Sequence, residues 1–286
     1  MILRLLARLF AWLSPRSRDR IGASLGWLLW SLRVRRRVVL ENLALAFPDK
    51  PRGERRAIAR ATYRHLGRMV PEFLRAPAMG SEELERLFVY QGWEIYEQAR
   101  ALGRGVIACT GHFGYFDLLA AAHALKGIPM TVITRKMGRS RANDGWREAR
   151  ARTGIRELTV KKGETLKAAR RALGAGGVLG YVIDQNQPLR RAVFPTFFGV
   201  PAATSATPAV LALRTGAPVL FVLAVPMEDG RHQVVIEGPL QMPDTGDRGR
   251  DVLAFLQDLN DRLERWIRLY PDRWYWLHRR WKTRPE

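Results

Sequence analysis

The chain has 286 residues, 47% of them hydrophobic, with 48 Lys and Arg against 27 Asp and Glu and a net charge of +21. That much apolar material builds a sizeable core and excludes a disordered or fibrous chain, while the length allows one or two domains. A single cysteine, Cys109, excludes an intramolecular disulfide framework and a cysteine-rich zinc site, and fits a reducing, cytoplasm-facing compartment.

The charge is concentrated at the start, where residues 1–70 hold 16 Lys and Arg and 4 acids. Such a surface attracts anions: nucleic acid, anionic lipid or acidic protein. Residues 1–13 (MILRLLARLFAWL) are apolar except for Arg4 and Arg8. A polar stop follows at 14–20 (SPRSRDR), then a second apolar arm at 21–32 (IGASLGWLLWSL) and a basic run at 33–37 (RVRRR). Each arm of about 12 residues makes roughly 18 Å of helix, short of the ~20 residues that span a bilayer. Trp12, Trp27 and Trp30 suit a headgroup boundary, where Arg side chains snorkel. Residues 1–37 are therefore expected to form a helical, basic membrane-surface anchor. Arg4 and Arg8 spoil a signal-peptide reading; a soluble hairpin packed on the core is the rival arrangement.

Residues 38–286 read as one domain, helical over 38–102 and α/β over 103–286. Residues 36–47 are a helical amphipath closed by Pro48. A second long helix is expected over 53–74, with Ile58, Thr62, Leu66, Met69 and Phe73 as its core stripe and Pro71 as a kink or early end. Residues 81–102 read as a further helix opened by SEEL. From Gly103, β-rich runs at 105–110, 129–134, 177–184, 218–224 and 232–237 alternate with helical stretches near 117–125, 141–153, 164–173, 205–215 and 251–269. This grammar predicts an α/β sheet covered by helices on both faces.

The most informative peptide is CTGHFGYFDL at 109–118, at the carboxyl end of a predicted strand, where α/β sheets place their ligands. His112 and Asp117 stand as H-x4-D. If the turn enters a helix, the carboxylate can fold back, hold one imidazole tautomer and leave the other nitrogen as a base. The bare pattern fits a hydrogen-bonded structural histidine equally well. No G-x-S-x-G elbow supplies a nucleophile, and Cys109, within the strand, reads as inert core. The remaining histidines (His65, His123, His232, His278) have no metal-ligand spacing, so no metal site is expected.

Several segments together carry a resemblance. They are ENLALAFP at 41–48, the helix after it, GHFGYFD, TRK at 134–136, IDQN at 183–186, FFGVPAATSATPAVLALRTGAPV at 197–219 and WYWLHRRWKTRP at 274–285. Over nearly its whole length the chain resembles the late acyltransferases of lipid A biosynthesis, the lauroyl and myristoyl transferases of the lysophospholipid acyltransferase superfamily. The resemblance implies a mixed central sheet like that of glycerol-phosphate acyltransferases. It also implies direct transfer of a fatty acyl chain from an acyl carrier protein or coenzyme A thioester to a hydroxyl of a lipid A precursor, with no cofactor.

By the same resemblance His112 is the general base and Asp117 its orienting partner. Arg135, with Arg150 or Arg152, meets phosphate or the developing oxyanion. Asp184 hydrogen-bonds substrate or fixes a loop. Phe113, Gly114, Tyr115, Phe197, Phe198 and Gly199 surround the acyl or acceptor pocket. Many relatives carry Glu where this chain has the shorter Asp117, which leaves other glycolipid acceptors, such as phosphatidylinositol mannosides, open. The tail with His278, Arg279, Arg280 and Lys282 beside Trp274, Trp276 and Trp281 is expected to be a packed cap. The partners implied are membrane lipid and an acidic acyl carrier protein at the cytoplasmic face of the inner membrane. No nucleic acid is expected, since no helix-turn-helix, zinc-finger or RNP motif is present.

Overall fold

The computed structural model describes residues 2–134, 141–159, 164–174 and 176–285. The two apolar arms are helices, α1 (Ile2–Trp12) and α2 (Pro15–Ser31). The stretch expected as a polar stop is mostly the opening of α2. Ser14 caps that helix by accepting a hydrogen bond from the Ser17 amide, and Pro15 occupies its first turn. After α3 (Arg36–Ala46) comes α4 (Arg52–Arg75), which runs through Pro71 without ending there.

α2 lies against α4 at backbone contact distance. A Cβ on Gly26 would stand 2.2 Å from the Tyr63 carbonyl oxygen, and one on Gly67 2.1 Å from that of Gly22. Glycine on both helices is what allows the approach. Arg18, in the first turn of α2, is buried and paired with Glu72 of α4 at 2.8 Å. The first two helices thus pack on the rest of the chain, as the rival hairpin arrangement required. Their outer face nonetheless leaves Leu5, Leu9, Trp12, Trp27, Leu28 and Leu32 exposed. Among the described residues, no helix is long and apolar enough to cross a membrane.

The segment expected as one helix over 81–102 is instead α5 (Ser81–Leu87), β1 (Phe88–Gln91) and α6 (Trp93–Ala101). The break has two causes. Phe88, Val89 and Tyr90 favour the pleated conformation, and Gly92 turns the chain at φ +83°. The core then proceeds as β2 (Val106–Thr110), α7 (Phe116–Leu125), β3 (Met130–Thr134), α8 (Arg141–Arg152), β4 (Arg156–Thr159), α9 (Thr165–Gly174) and β5 (Val178–Val182). β4 is a second strand that the sequence pattern did not suggest. Two small antiparallel pairs follow, built from β6 (Ala192–Val193), β7 (Thr196–Phe197), β8 (Val200–Pro201) and β9 (Thr204–Ser205). Next come α10 (Thr207–Thr215), β10 (Val219–Pro226), β11 (His232–Glu237) and α11 (Arg248–Leu269).

Seven strands form one mixed sheet in the order β1-β11-β10-β2-β5-β3-β4. β10, β2, β5, β3 and β4 are mutually parallel. β11 runs antiparallel to β10, and β1 is parallel to β11. Alternation along the strands divides the core in two. Val106, Val178 and Leu220 meet Leu118, Leu119 and Tyr96 on one face, whereas Ile107, Leu179 and Phe221 meet Leu173, Phe255 and Leu259 on the other. Helices therefore cover both faces, as expected.

Candidate active site

β2 and β5 are adjacent parallel strands, with Thr110 level with Val182. Two residues further along each strand's direction stand His112 and Asp184. The His112 amide donates to Asp184 Oδ2 at 2.8 Å, and His112 Nδ1 lies 2.7 Å from Asp184 Oδ1. Trp274 Nε1 adds a third hydrogen bond, to Asp184 Oδ2 at 2.6 Å. Burial alone would push the imidazole toward its neutral form, but attraction and hydrogen bonding from Asp184 outweigh it, so the His112 pKa is raised. Asp184 is fully buried, which favours its protonated form. The His112 ring and amide and the Trp274 indole reverse that and hold the carboxyl well below its ordinary range. An ionised Asp184 fixes the proton on Nδ1 and leaves the Nε2 lone pair facing outward, where Gln185 Nε2 stands 3.4 Å away. The other three buried histidines contrast sharply: burial pushes His65 down to about 3 and His123 and His232 to about 4.

The loop that carries His112 is clamped by the C-terminal segment. The Gly114 amide donates to the Arg273 carbonyl at 2.9 Å and the Tyr275 amide to that of His112 at 3.0 Å, while Phe113 bridges Trp274. Gly114 has φ +56°, and a Cβ there would lie 2.3 Å from the Ala224 carbonyl oxygen, so the loop's close return against β10 requires glycine.

Asp117 does not orient His112. It occupies the first turn of α7, buried, with both oxygens engaged by α8: Oδ1 accepts from Arg150 Nε at 2.9 Å and Nη2 at 2.7 Å, and Oδ2 from Trp146 Nε1 at 2.9 Å. Arg150 is in turn bonded to Glu157 at 3.0 Å, so its guanidinium is shared between two carboxylates. Strand register brings Asp184 to the imidazole, and the helical turn carries Asp117 to a different neighbour. Arg152 is exposed and lines no cavity beside His112. Arg135 lies outside the described residues.

His112 and Gln185 line a cavity of about 700 Å³, with Arg191 on its rim and Tyr181 and Leu211 in its wall. A narrower apolar cavity runs beneath α7 along one face of the sheet, past Thr110, Ala108 and Val106 to Trp93 and Tyr96. Phe116, Ile133, Thr134, Arg150 and Val182 line both spaces, so the two meet close to His112. Of the expected pocket residues, Tyr115 faces elsewhere. Phe113, Phe197 and Phe198 are buried under Trp274, Trp276 and Trp281 away from both cavities, with Gly199 in the tight turn between β7 and β8. The tail is a packed cap: Arg280 is wholly buried and donates to the Ala203 carbonyl and Thr204 Oγ1. Cys109 is buried, and burial pushes its thiol up, away from reactivity. Among the described residues, no group of His, Cys, Asp and Glu forms a metal site.

Sequence reasoning missed Gln185 and Trp146, and the bonding of Trp274 and His112 to Asp184. The signal was present in the equal offset of His112 and Asp184, seven residues each, from the first residues of the predicted runs at 105–110 and 177–184.

An α/β enzyme with an Asp–His pair at the carboxyl ends of neighbouring parallel strands, opening on a polar and an apolar cavity, is the class that this fold and site define. The family model described as bacterial lipid A biosynthesis acyltransferase matches residues 2–283, and the chain belongs to that family. It is an acyltransferase. Among relatives, the lipid A biosynthesis lauroyltransferase of Escherichia coli K12 is 28% identical over 93% of this chain and 86% of its own length. The myristoyltransferase of the same organism is 26% identical over 94% and 82%. Its palmitoleoyltransferase is 24% identical over 89% and 81%.

Proposed function

We propose that this acyltransferase moves a fatty acyl chain from a thioester, on acyl carrier protein or coenzyme A, to a hydroxyl of a lipid A precursor. The carrying observation is the His112–Asp184 pair at the junction of the two cavities. The acyl chain lies in the apolar cavity with its thioester at the mouth, and the acceptor occupies the larger space beside Gln185 and Arg191. His112 Nε2 takes the hydroxyl proton as the oxygen attacks the thioester carbonyl carbon. The new C–O bond forms, the C–S bond breaks, and the proton passes from His112 to the departing thiolate. Asp184 stabilises the imidazolium formed between the two events. The reading calls on no cofactor or metal.

The exposed apolar side chains of α1 and α2, with the Arg run after α2, support attachment at an anionic membrane surface. The cytoplasmic face of the inner membrane is where an acyl carrier protein and a membrane-bound acceptor can meet. The net charge of +21 also favours an acidic carrier by long-range steering.

The test uses detergent-purified protein, acyl carrier protein-linked fatty acids and a tetraacylated lipid A precursor, with the lipid product weighed by mass spectrometry. A gain of one acyl mass that disappears in His112→Ala is expected. No gain from the wild type redirects the search to phosphatidylinositol mannosides and other glycolipids, and full product from His112→Ala overturns the mechanism.

A further inference from the structure

A third cavity, of about 650 Å³, shares no described lining residue with the one that His112 faces and meets the same loop at Tyr115. The first turns of α2, the face of α4 and the turn between β10 and β11 enclose it. Among the described residues, seven guanidiniums line it against three carboxylates, and every one of those carboxylates is already taken. Glu72 is shared by Arg18 at 2.8 Å and Arg75 at 2.7 Å, Arg75 also holds Glu83, and Asp19 is paired with Arg68 at 2.7 Å. Arg16 and Arg20 have no ion-pair partner among the described residues. Arg231 is paired with Asp229, at 2.6 Å. Arg273 leans on His65, 3.0 Å away, with Asp272 at 3.4 Å from its Nε.

A second observation points the same way. His232 lines this cavity, is only 8% exposed, and its Nδ1 has no hydrogen-bond partner. Its ring packs against Tyr115 with centroids 4.5 Å apart. A surplus of guanidiniums around an unsatisfied buried imidazole suits an anion with more than one charge and several acceptor oxygens, and the forked guanidinium matches phosphate geometry. We propose that this cavity binds a phosphate group, presented by a lipid headgroup or free in solution. The inference goes beyond the acyl-transfer reading and does not rest on it. An occupant would brace the catalytic loop from behind, because the Arg273 carbonyl holds the Gly114 amide and Tyr115 lies three residues after His112.

The test uses the full chain in detergent micelles with ¹⁵N-labelled histidine. Ring resonances are followed during titration with inorganic phosphate, and separately with micelles carrying phosphatidic acid or phosphatidylcholine. The His232 signals are expected to move and those of His123, buried elsewhere, to stay. Arg16→Gln/Arg20→Gln/Arg231→Gln, three exposed positions, weakens the response at least about tenfold, each lost contact being a charge-assisted hydrogen bond. Arg52→Gln/Arg56→Gln/Arg64→Gln removes the same charge from α4 outside the cavity and leaves the response intact. A response to inorganic phosphate identifies a free anion as sufficient, and one confined to phosphatidic acid identifies a headgroup. No movement of His232 with either ligand, or equal weakening by both triple variants, overturns the proposal.

Discussion

Asp184 grips His112 twice, through the backbone amide at 2.8 Å and through ring Nδ1 at 2.7 Å, so one carboxylate sets both the position and the tautomer of the imidazole. The two residues are 72 apart in sequence and become neighbours only because β2 and β5 pair in parallel. Asp117, five residues from His112, is turned toward Arg150 instead.

This arrangement separates the two aspartates experimentally. Asp184→Asn is expected to lower kcat about 10²–10⁴-fold, the usual worth of a positioned general base. Asp117→Asn is expected to act chiefly on stability, by about 3 kcal/mol, because it strips a buried guanidinium of one carboxylate. Steady-state rates and thermal melts on both variants check this. Normal turnover in Asp184→Asn, with loss in a fully stable Asp117→Asn, would reverse the assignment.

The pH profile follows from the same pair. In the proposed mechanism only neutral His112 accepts a proton, and its pKa is raised, so activity is expected to fall as pH drops through that value, with the acid limb above the ordinary histidine value. In Asp184→Asn the burial that lowers the pKa remains while the main attraction that raises it is gone. The residual activity should therefore show an acid limb at lower pH than the wild type. A limb that stays in place or moves upward would show that another group titrates.

Filling the apolar cavity should change which donor is used. From Val106 to Thr110 the cavity follows β2 for about 13 Å at 3.3 Å per residue. Ala120→Leu adds volume from the α7 side of this space. Given a mixture of acyl donors, the variant should favour shorter chains than the wild type, read from product masses. An unchanged distribution would place the chain elsewhere.

The N-terminal helices carry a prediction of each kind. Gly26→Ala should cost about 1–3 kcal/mol in a thermal melt, since the added methyl meets the Tyr63 carbonyl. Trp12→Ala/Trp27→Ala should leave the melt unchanged, both side chains being exposed, and weaken vesicle binding more than about tenfold. Undiminished binding would remove α1 and α2 from the membrane contact.

Local pattern made much of the fold legible. The sequence reading anticipated five of the sheet's strands and the covering of both faces, because hydrophobic period and turn residues are local signals. β1 and β4 escaped because FVYQ and RELT are four-residue edge-side segments flanked by helical patterns, and their strand character comes from pairing with β11 and β3. The same limit governed the site. His112 was visible from its strand-end Gly-rich loop, whereas its partner was set by register, a property of two segments together. Trp274 was assigned to packing alone, although its indole nitrogen also holds Asp184.

The clamp of the C-terminal segment on the His112 loop has a consequence for how the molecule is made. Synthesis runs from the amino end, so every strand of the sheet is made before Arg273 and Trp274 exist. Until those residues are synthesised, Asp184 lacks its indole donor and Gly114 its carbonyl acceptor. The His112–Asp184 pair can thus form on the sheet before the segment that braces it from outside has been made.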